Sequence, residues 1–288
     1  MYEQARLTKI LEAKDSLDHK IMSQNLNMIV GLKIESFIVT DKKKYESYFS
    51  HIFEVTQSLY KANSHRRNYL KKEVKTIKEF KRSSRKNPNT ADLGINPIEL
   101  NTEIEGVLIH VKAALDSLAK SLDSLLGFNL GGWNKKGEGK ESGRKIIEAI
   151  DHNLPEELKE KAKGLREHIE MNIPAISYIV FLRDGAPHRG GIKNITDIVY
   201  QQARKRVIPQ MIRHEGDVYE KVGDYLTRLL TEISSFTQGV TLLSLLVRTP
   251  SGLSVIKNRD GQWPPYYWNL GEISDEKMGE IAQSSEFS

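Results

Sequence analysis

At 288 residues, 39% of them hydrophobic, the chain can bury one large core or two modest ones, and it has no long polar low-complexity tract that would argue for disorder. The absence of cysteine excludes disulfides, thiolate zinc sites and a cysteine nucleophile together, and suits a reducing compartment. The net charge of +5 is uneven: from Lys61 to Lys86 eleven Lys or Arg face only Glu73 and Glu79, a local +9 that leaves −4 for the rest.

A surplus so concentrated is either a solvated helix face or the footprint of a polyanion partner. The N-terminus, MYEQARLTKILEAKD, has acidic residues and no apolar signal core. No run approaches the roughly eighteen consecutive apolar residues of a membrane span. The best, Val240 to Val247, is broken by Thr241 and Ser244. The expectation is a cytoplasmic protein with no membrane contact.

Residues 1–44 read as an N-terminal extension, mostly helical from Leu7, Ile10, Leu11, Leu17 and Ile21, with a β-branched run from Met28 to Val39. From Lys42 to about Lys86 the spacing of Tyr45, Phe49, Ile52, Leu59, Leu70, Val74 and Ile77 predicts one long helix or two in line. In its middle the seam turns polar at Asn63 and Arg66. Either the helix leaves the core there, or these side chains face a cleft. The candidate RNA contacts on this stretch are Arg66, Arg67, Lys71, Lys75 and Lys78.

The segment Asn87 to Asn96 reads as a loop, with Pro97 opening the next helix and Asn96 capping it. Leu100, Ile104, Val107, Leu108, Val111, Leu115, Leu118, Leu122 and Leu125 then give the cleanest helical period in the chain, ended by Gly127. On this helix Lys112, Asp116 and Lys120 are spaced for i,i+4 surface pairs, while His110 and Asp116 are also candidates to face a cleft. The stretch from Gly131 to Gly143 is a flexible glycine-lysine loop and lacks the spacing of a phosphate-binding P-loop.

Helices follow around Arg144 to Asp151 and from Pro155, the latter with Leu158, Ala162, Leu165, Ile169, Ile176 and Val180 on one face. Pro174 lacks the N–H that the preceding turn needs, so it is expected to kink or restart that helix. The same phase continued past Val180 places Arg183 on the buried seam, towards a partner helix or second subunit. Thr196 to Tyr200 and Arg206 to Met211 predict a short β-hairpin or extended pair around the basic turn Arg204 to Arg206. Gly216 to Arg248 resumes helical spacing from Val218 through Val222, Leu226, Leu230 and Ile233. His168 and His214 stand in charged local sequence and read as surface residues. Thr249 to Ser288 reads as an irregular tail whose WPPYYW, Trp263 to Trp268, is an aromatic strap over the bundle or a stacking surface.

The stretch with chemistry in it is FLRDGAPHRGG, Phe181 to Gly191, where an apolar helix runs into an Arg-Asp step, a Gly-Ala-Pro turn and a histidine. A guanidinium can hold both non-bridging oxygens of a phosphodiester, and an imidazole titrates near neutrality. With 15 Arg and 8 His an Arg followed by a His at this spacing is expected about once by chance, so context must carry the reading.

That context, IHVKAALDSLAKSLDSLLG at Ile109 to Gly127 followed by a helix ending in FLRDGAPHRGG, resembles the HEPN superfamily of nucleotide-binding and RNA-cleaving helical domains. The likeness covers residues 45–248, leaving 249–288 as the tail. It implies an all-α, antiparallel helical bundle, into which the short β-hairpin read after the motif would be inserted. It also implies a homodimer and a metal-independent endoribonuclease of the stress, toxin or antiviral defence kind. Arg183 would hold the scissile phosphate, His188 would serve as general base or acid, Asp184 would orient one of them, and Arg189 would add an RNA contact. No cofactor and no metal are implied, and the chain has no ExxH pair, HExxH motif or cysteine ligand set. Gly190 stands where HEPN toxins modified by a nucleotidyltransferase antitoxin carry a tyrosine, which argues against that pairing. The alternatives are an inactive helical module that binds RNA or protein through the Lys61 to Lys86 surface, and a structural role for Arg183 and His188 at a helix end.

Overall fold

The computed structural model describes residues 15–22, 42–84, 93–133, 142–185, 194–248, 254–259 and 266–269. Residues 16–22 are helical, with Leu17 and Ile21 buried as their spacing requires. The β-branched run from Met28 to Val39 lies outside the described residues.

Helix α1, Lys42–Ser84, is a single element of 43 residues. It contains no Gly or Pro, and the buried Tyr48, Ile52, Val55, Leu59, Ala62 and Tyr69 recur at steps of three, four and seven. The stretch read as a loop contains a strand, β1, Leu93–Ile95. Helix α2, Ile98–Leu126, begins one residue later than the sequence suggests. The Pro97 carbonyl accepts from the N–H groups of Leu100 and Asn101 at 3.0 and 3.2 Å, which makes Pro97 the capping position. Asn96 Oδ1 is taken by the side-chain amide of Asn101 at 2.6 Å. The apolar seam of α2 is buried throughout, and Gly127, at φ +78°, ends it with its N–H on the Asp123 carbonyl at 3.0 Å.

Helix α3 is Arg144–Asn153 and α4 is Glu156–Gly185, 30 residues with Pro174 inside. The proline does not restart the helix. It is exposed, while Ile173 and Ile176 beside it are buried, so core packing carries α4 through the lost N–H. Next come β2, Ile198–Gln201, and β3, Arg206–Ile208, which form the expected hairpin with Val199 opposite Ile208 and Gln201 opposite Arg206. Strand β1 extends it to three antiparallel strands by pairing Leu93 with Tyr200.

A second hairpin, β4 Met211–Arg213 with β5 Tyr219–Lys221, occupies the ground where helical spacing was read from Gly216. Val218 is 59% exposed and outside any helix. Helix α5 is Val222–Arg248. It is long and apolar enough to cross a membrane by length and mean hydropathy, a property hidden from a count of consecutive apolar residues, but 72% of its most apolar window is buried within the protein, as in a core helix. In the tail, β6 Ser254–Lys257 pairs antiparallel with β7 Tyr266–Asn269, so WPPYYW is in part a strand. The packing of its side chains lies outside the described residues.

The protein is thus mostly helical with small antiparallel sheets. It divides into two compact units: the first is Met1–Gln57, Ala114–Ser177 and Ser234–Ser288, the second Ser58–Ala113 and Tyr178–Ile233. Each of the four long helices has a part in both. Charge divides with them: the second unit holds 21 Lys and Arg against 13 Asp and Glu, a surplus of 8, which leaves the first at −3.

Candidate functional site

Arg183 lies in the last turn of α4, in the second unit, and is exposed. The seam expected to carry it inward turns away first. The buried side of α4 advances in steps of three through Ile173, Ile176, Ile179 and Leu182, and each such step falls short of a full turn, so the stripe drifts. Leu182 ends it instead of Arg183, and Phe181, one residue earlier, is 50% exposed. The guanidinium is therefore presented at the surface of the single chain. The backbone of Asp184 continues the helix, while its side chain, His188 and Arg189 lie outside the described residues.

The polar break in the seam of α1 is buried. Asn63 is fully buried and Arg66 is 8% exposed, so Arg66 does not belong to an RNA-binding surface and Asn63 faces no open cleft. Arg66 Nε donates to Asn63 Oδ1 at 2.7 Å, and its NH1 donates to Thr227 Oγ1 on α5 at 3.1 Å. One turn on, the Tyr69 hydroxyl donates to Glu73 at 2.9 Å and lies 3.4 Å from Gln210 Oε1, and the Gln210 amide donates to Asn101 Oδ1 on α2 at 3.1 Å. Gly223 lets α5 approach here, since a Cβ on it would come within 2.7 Å of Leu70. Burial, then the nearby Asp224, pushes the Glu73 carboxyl above its ordinary range against the opposing pull of the Tyr69 hydrogen bond and Lys221.

His110 faces α1, where its ring stacks on that of His65 with centroids 5.4 Å apart. His65 Nδ1 is 2.7 Å from Glu103 Oε2, and Lys72 Nζ donates to Glu103 Oε1 at 2.7 Å. Burial raises the Glu103 carboxyl, but the hydrogen bonds from Lys72 and His65 outweigh it and hold the group below its ordinary range. Burial first, then electrostatic interaction with His65 and Lys61, lowers the His110 imidazole. Gly106 leaves the space for His65, because a Cβ there would meet the ring at 2.5 Å. Asp116 has a structural task in the first unit, accepting the Trp133 backbone N–H at 2.8 Å. Lys112 is only 7% exposed, so it does not lie on an open surface.

Lys71, Lys75 and Lys78 are exposed and spaced at four and three residues along one face of α1. Arg67 is half-buried, with its guanidinium 5.7 Å from the Tyr60 ring centroid. The basic stripe is real on this helix, though Arg66 is missing from it.

Two histidines read as surface residues are packed. His168 is 8% exposed, stacks on Phe236 at 5.4 Å and lies 3.2 Å from the Phe236 carbonyl. His214 is half-buried, its ring 6.2 Å from Tyr178 and 5.7 Å from Tyr225, with Nε2 3.0 Å from Glu220. Hydrogen bonding to Arg228, at 2.7 Å, and to His214 holds Glu220 below the ordinary carboxylate range. The hydroxyls of Tyr178 and Tyr225 are buried with no hydrogen-bond partner among the described residues. Sequence reasoning missed this group because it read a helix from Gly216, whereas the alternation TyrGluLys at 219 to 221 is the β5 signal that folds Glu220 back onto His214. Among the described residues no set of three His, Asp or Glu is placed to hold a metal ion.

No protein-family profile, curated protein or solved structure matches the chain.

Proposed function

We propose that the protein is a metal-independent endoribonuclease of the HEPN type, a homodimer acting on RNA in the cytoplasm, in stress response or defence against phage. The observation that carries this reading is the position of the Arg-Asp step. Arg183 is exposed at the last turn of a long core helix, within the compact unit that holds the surplus of positive charge. On this reading the ribose 2′-hydroxyl attacks phosphorus as His188 takes its proton. Arg183 holds the non-bridging oxygens of the pentacoordinate state, Asp184 orients its neighbours, and the 5′-oxygen leaves with a proton taken from water. The products are a 2′,3′-cyclic phosphate and a 5′-hydroxyl. The half-exposed Phe181 beside Arg183 offers apolar surface to a second copy of α4, which would bring two motifs to one cleft.

The test is RNA cleavage in the presence of EDTA, with end-group analysis. Wild-type protein is expected to cleave and leave a cyclic phosphate, and His188→Ala to be inactive. Light scattering at tens of micromolar should report a dimer. Absence of cleavage across varied RNAs would leave the second reading, an inactive RNA-binding module, which the exposed Lys71, Lys75 and Lys78 favour.

A further inference from the structure

The apex of the β2–β3 hairpin is a run of three cations, Arg204, Lys205 and Arg206, each exposed. From Ile198 to His214 the sequence has no carboxylate, and none of the three makes an ion pair among the described residues. By contrast Arg144, Arg166 and Arg228 each hold a carboxylate, and the neighbouring Arg213 holds Asp217. Arg206 is also fixed in place, its Nε donating to Gln201 Oε1 across the closing pair of the hairpin at 2.9 Å.

The backbone adds a second, independent observation. Lys205 closes the turn with its N–H on the Gln202 carbonyl at 3.2 Å and sits at φ +47°, in the left-handed region where a side chain with a Cβ is strained. Glycine or asparagine is the residue such a turn favours. A lysine there, between two arginines, costs stability and adds unneutralised charge, and that combination is found where a surface binds something.

We propose that this apex is a second phosphate-contact site for single-stranded RNA, in the same compact unit as the lysine stripe of α1 and as Arg183. The proposal rests on the RNA reading of the protein but not on catalysis. Three adjacent donors suit successive phosphates, and arginine can take two oxygens of one phosphate at once. A membrane surface is the poorer match, since the only apolar residue at the tip is Ala203 and an interfacial segment needs large apolar groups to insert.

The experiment is a salt titration of binding to a labelled, non-cleavable 2′-O-methyl oligonucleotide, using the full chain. Replacing Arg204, Lys205 and Arg206 together by Ala should weaken binding about 10- to 100-fold near 0.1 M salt and flatten the log–log salt slope by about 2. Lys205→Gly should flatten it by about 0.7 while leaving the unfolding midpoint unchanged or higher, because the turn is relieved of its strain. An unchanged slope in the triple variant overturns the proposal. So does a triple variant that loses binding to phosphatidylglycerol vesicles while wild type binds no RNA. If wild type binds with a tip-dependent slope but cleaves nothing, the ribonuclease reading falls and this site stands. If wild type cleaves and the triple variant binds and cleaves equally well, the reverse holds.

Discussion

Thr56, Ser121, Thr237, Thr241 and Ser244 are buried in the first unit, and each hydroxyl donates to a carbonyl three or four residues back on its own helix. In the second unit the buried polar residues are longer, and their bonds cross between elements: Arg66 to Thr227, Lys72 to Glu103, Gln210 to Asn101. A hydroxyl folded onto its own helix makes no demand on the neighbouring helix. A buried guanidinium or carboxylate must find a partner at a set distance, which fixes helix to helix and holds charge where water is scarce. The two units thus differ in how buried polar groups are satisfied, and the charge surplus lies in the second.

The largest expected effect sharpens that division. Arg183→Ala should lower RNA cleavage by about 10²- to 10⁴-fold, and Arg183→Lys nearly as much, because an ammonium cannot reproduce the two-pronged grip. The unfolding midpoint should not move, since Arg183 is exposed. A midpoint that falls with activity would make the residue structural.

Trp133→Ala tests the other side. The ring is fully buried, edge-on to Phe236 at 5.4 Å, and its loss should cost about 3–5 kcal/mol in denaturant unfolding. RNA affinity of the protein that remains folded should be unchanged.

A smaller contrast lies within α1 itself. Arg66→Ala should cost about 1–3 kcal/mol, because Asn63 and Thr227 lose a charged donor inside the protein. Changing Lys71, Lys75 and Lys78 together to Ala should leave stability within about 0.5 kcal/mol and flatten the salt slope of RNA binding by about 2. If the lysine variant unfolds and the arginine variant does not, the assignment of surface and interior is inverted.

The smallest effect is a pH dependence. Burial, then His65 and Lys61, holds the His110 imidazole below its ordinary value in the folded protein. The unfolded chain therefore binds the proton first, so stability is full above about pH 6.5 and falls as pH drops through the folded value. His110→Gln should flatten thermal midpoints compared between neutral and mildly acidic buffer, and an equally steep fall in the variant would assign the dependence to other groups.

The helices were legible because their cause is local. An apolar period unbroken over Ile98–Leu126, and interrupted at Asn63 and Arg66 over Lys42–Ser84, is buried by a helix, and Gly127 at positive φ marks the end of the former. The Ile198–Ile208 hairpin was legible for the same reason, from two β-branched runs around a basic turn. Of the candidate site, the sequence placed Arg183 near a helix end and the lysines Lys71, Lys75 and Lys78 on one helix, and the structure shows these residues exposed.

The rest was decided between elements. Whether Arg66 meets water or Thr227 depends on where α5 lies, and nothing within α1 encodes that. The exposure of Arg183 depends on a drift of the buried stripe, set by what packs against Ile179 and Leu182. His168, with charged neighbours in sequence, is buried because Phe236 of α5 stacks on its ring. Sequence determined the periods, the stops and the local charge, which are properties of neighbours along the chain. Tertiary structure alone decided which polar groups are inside, because burial is set by residues tens to hundreds of positions away.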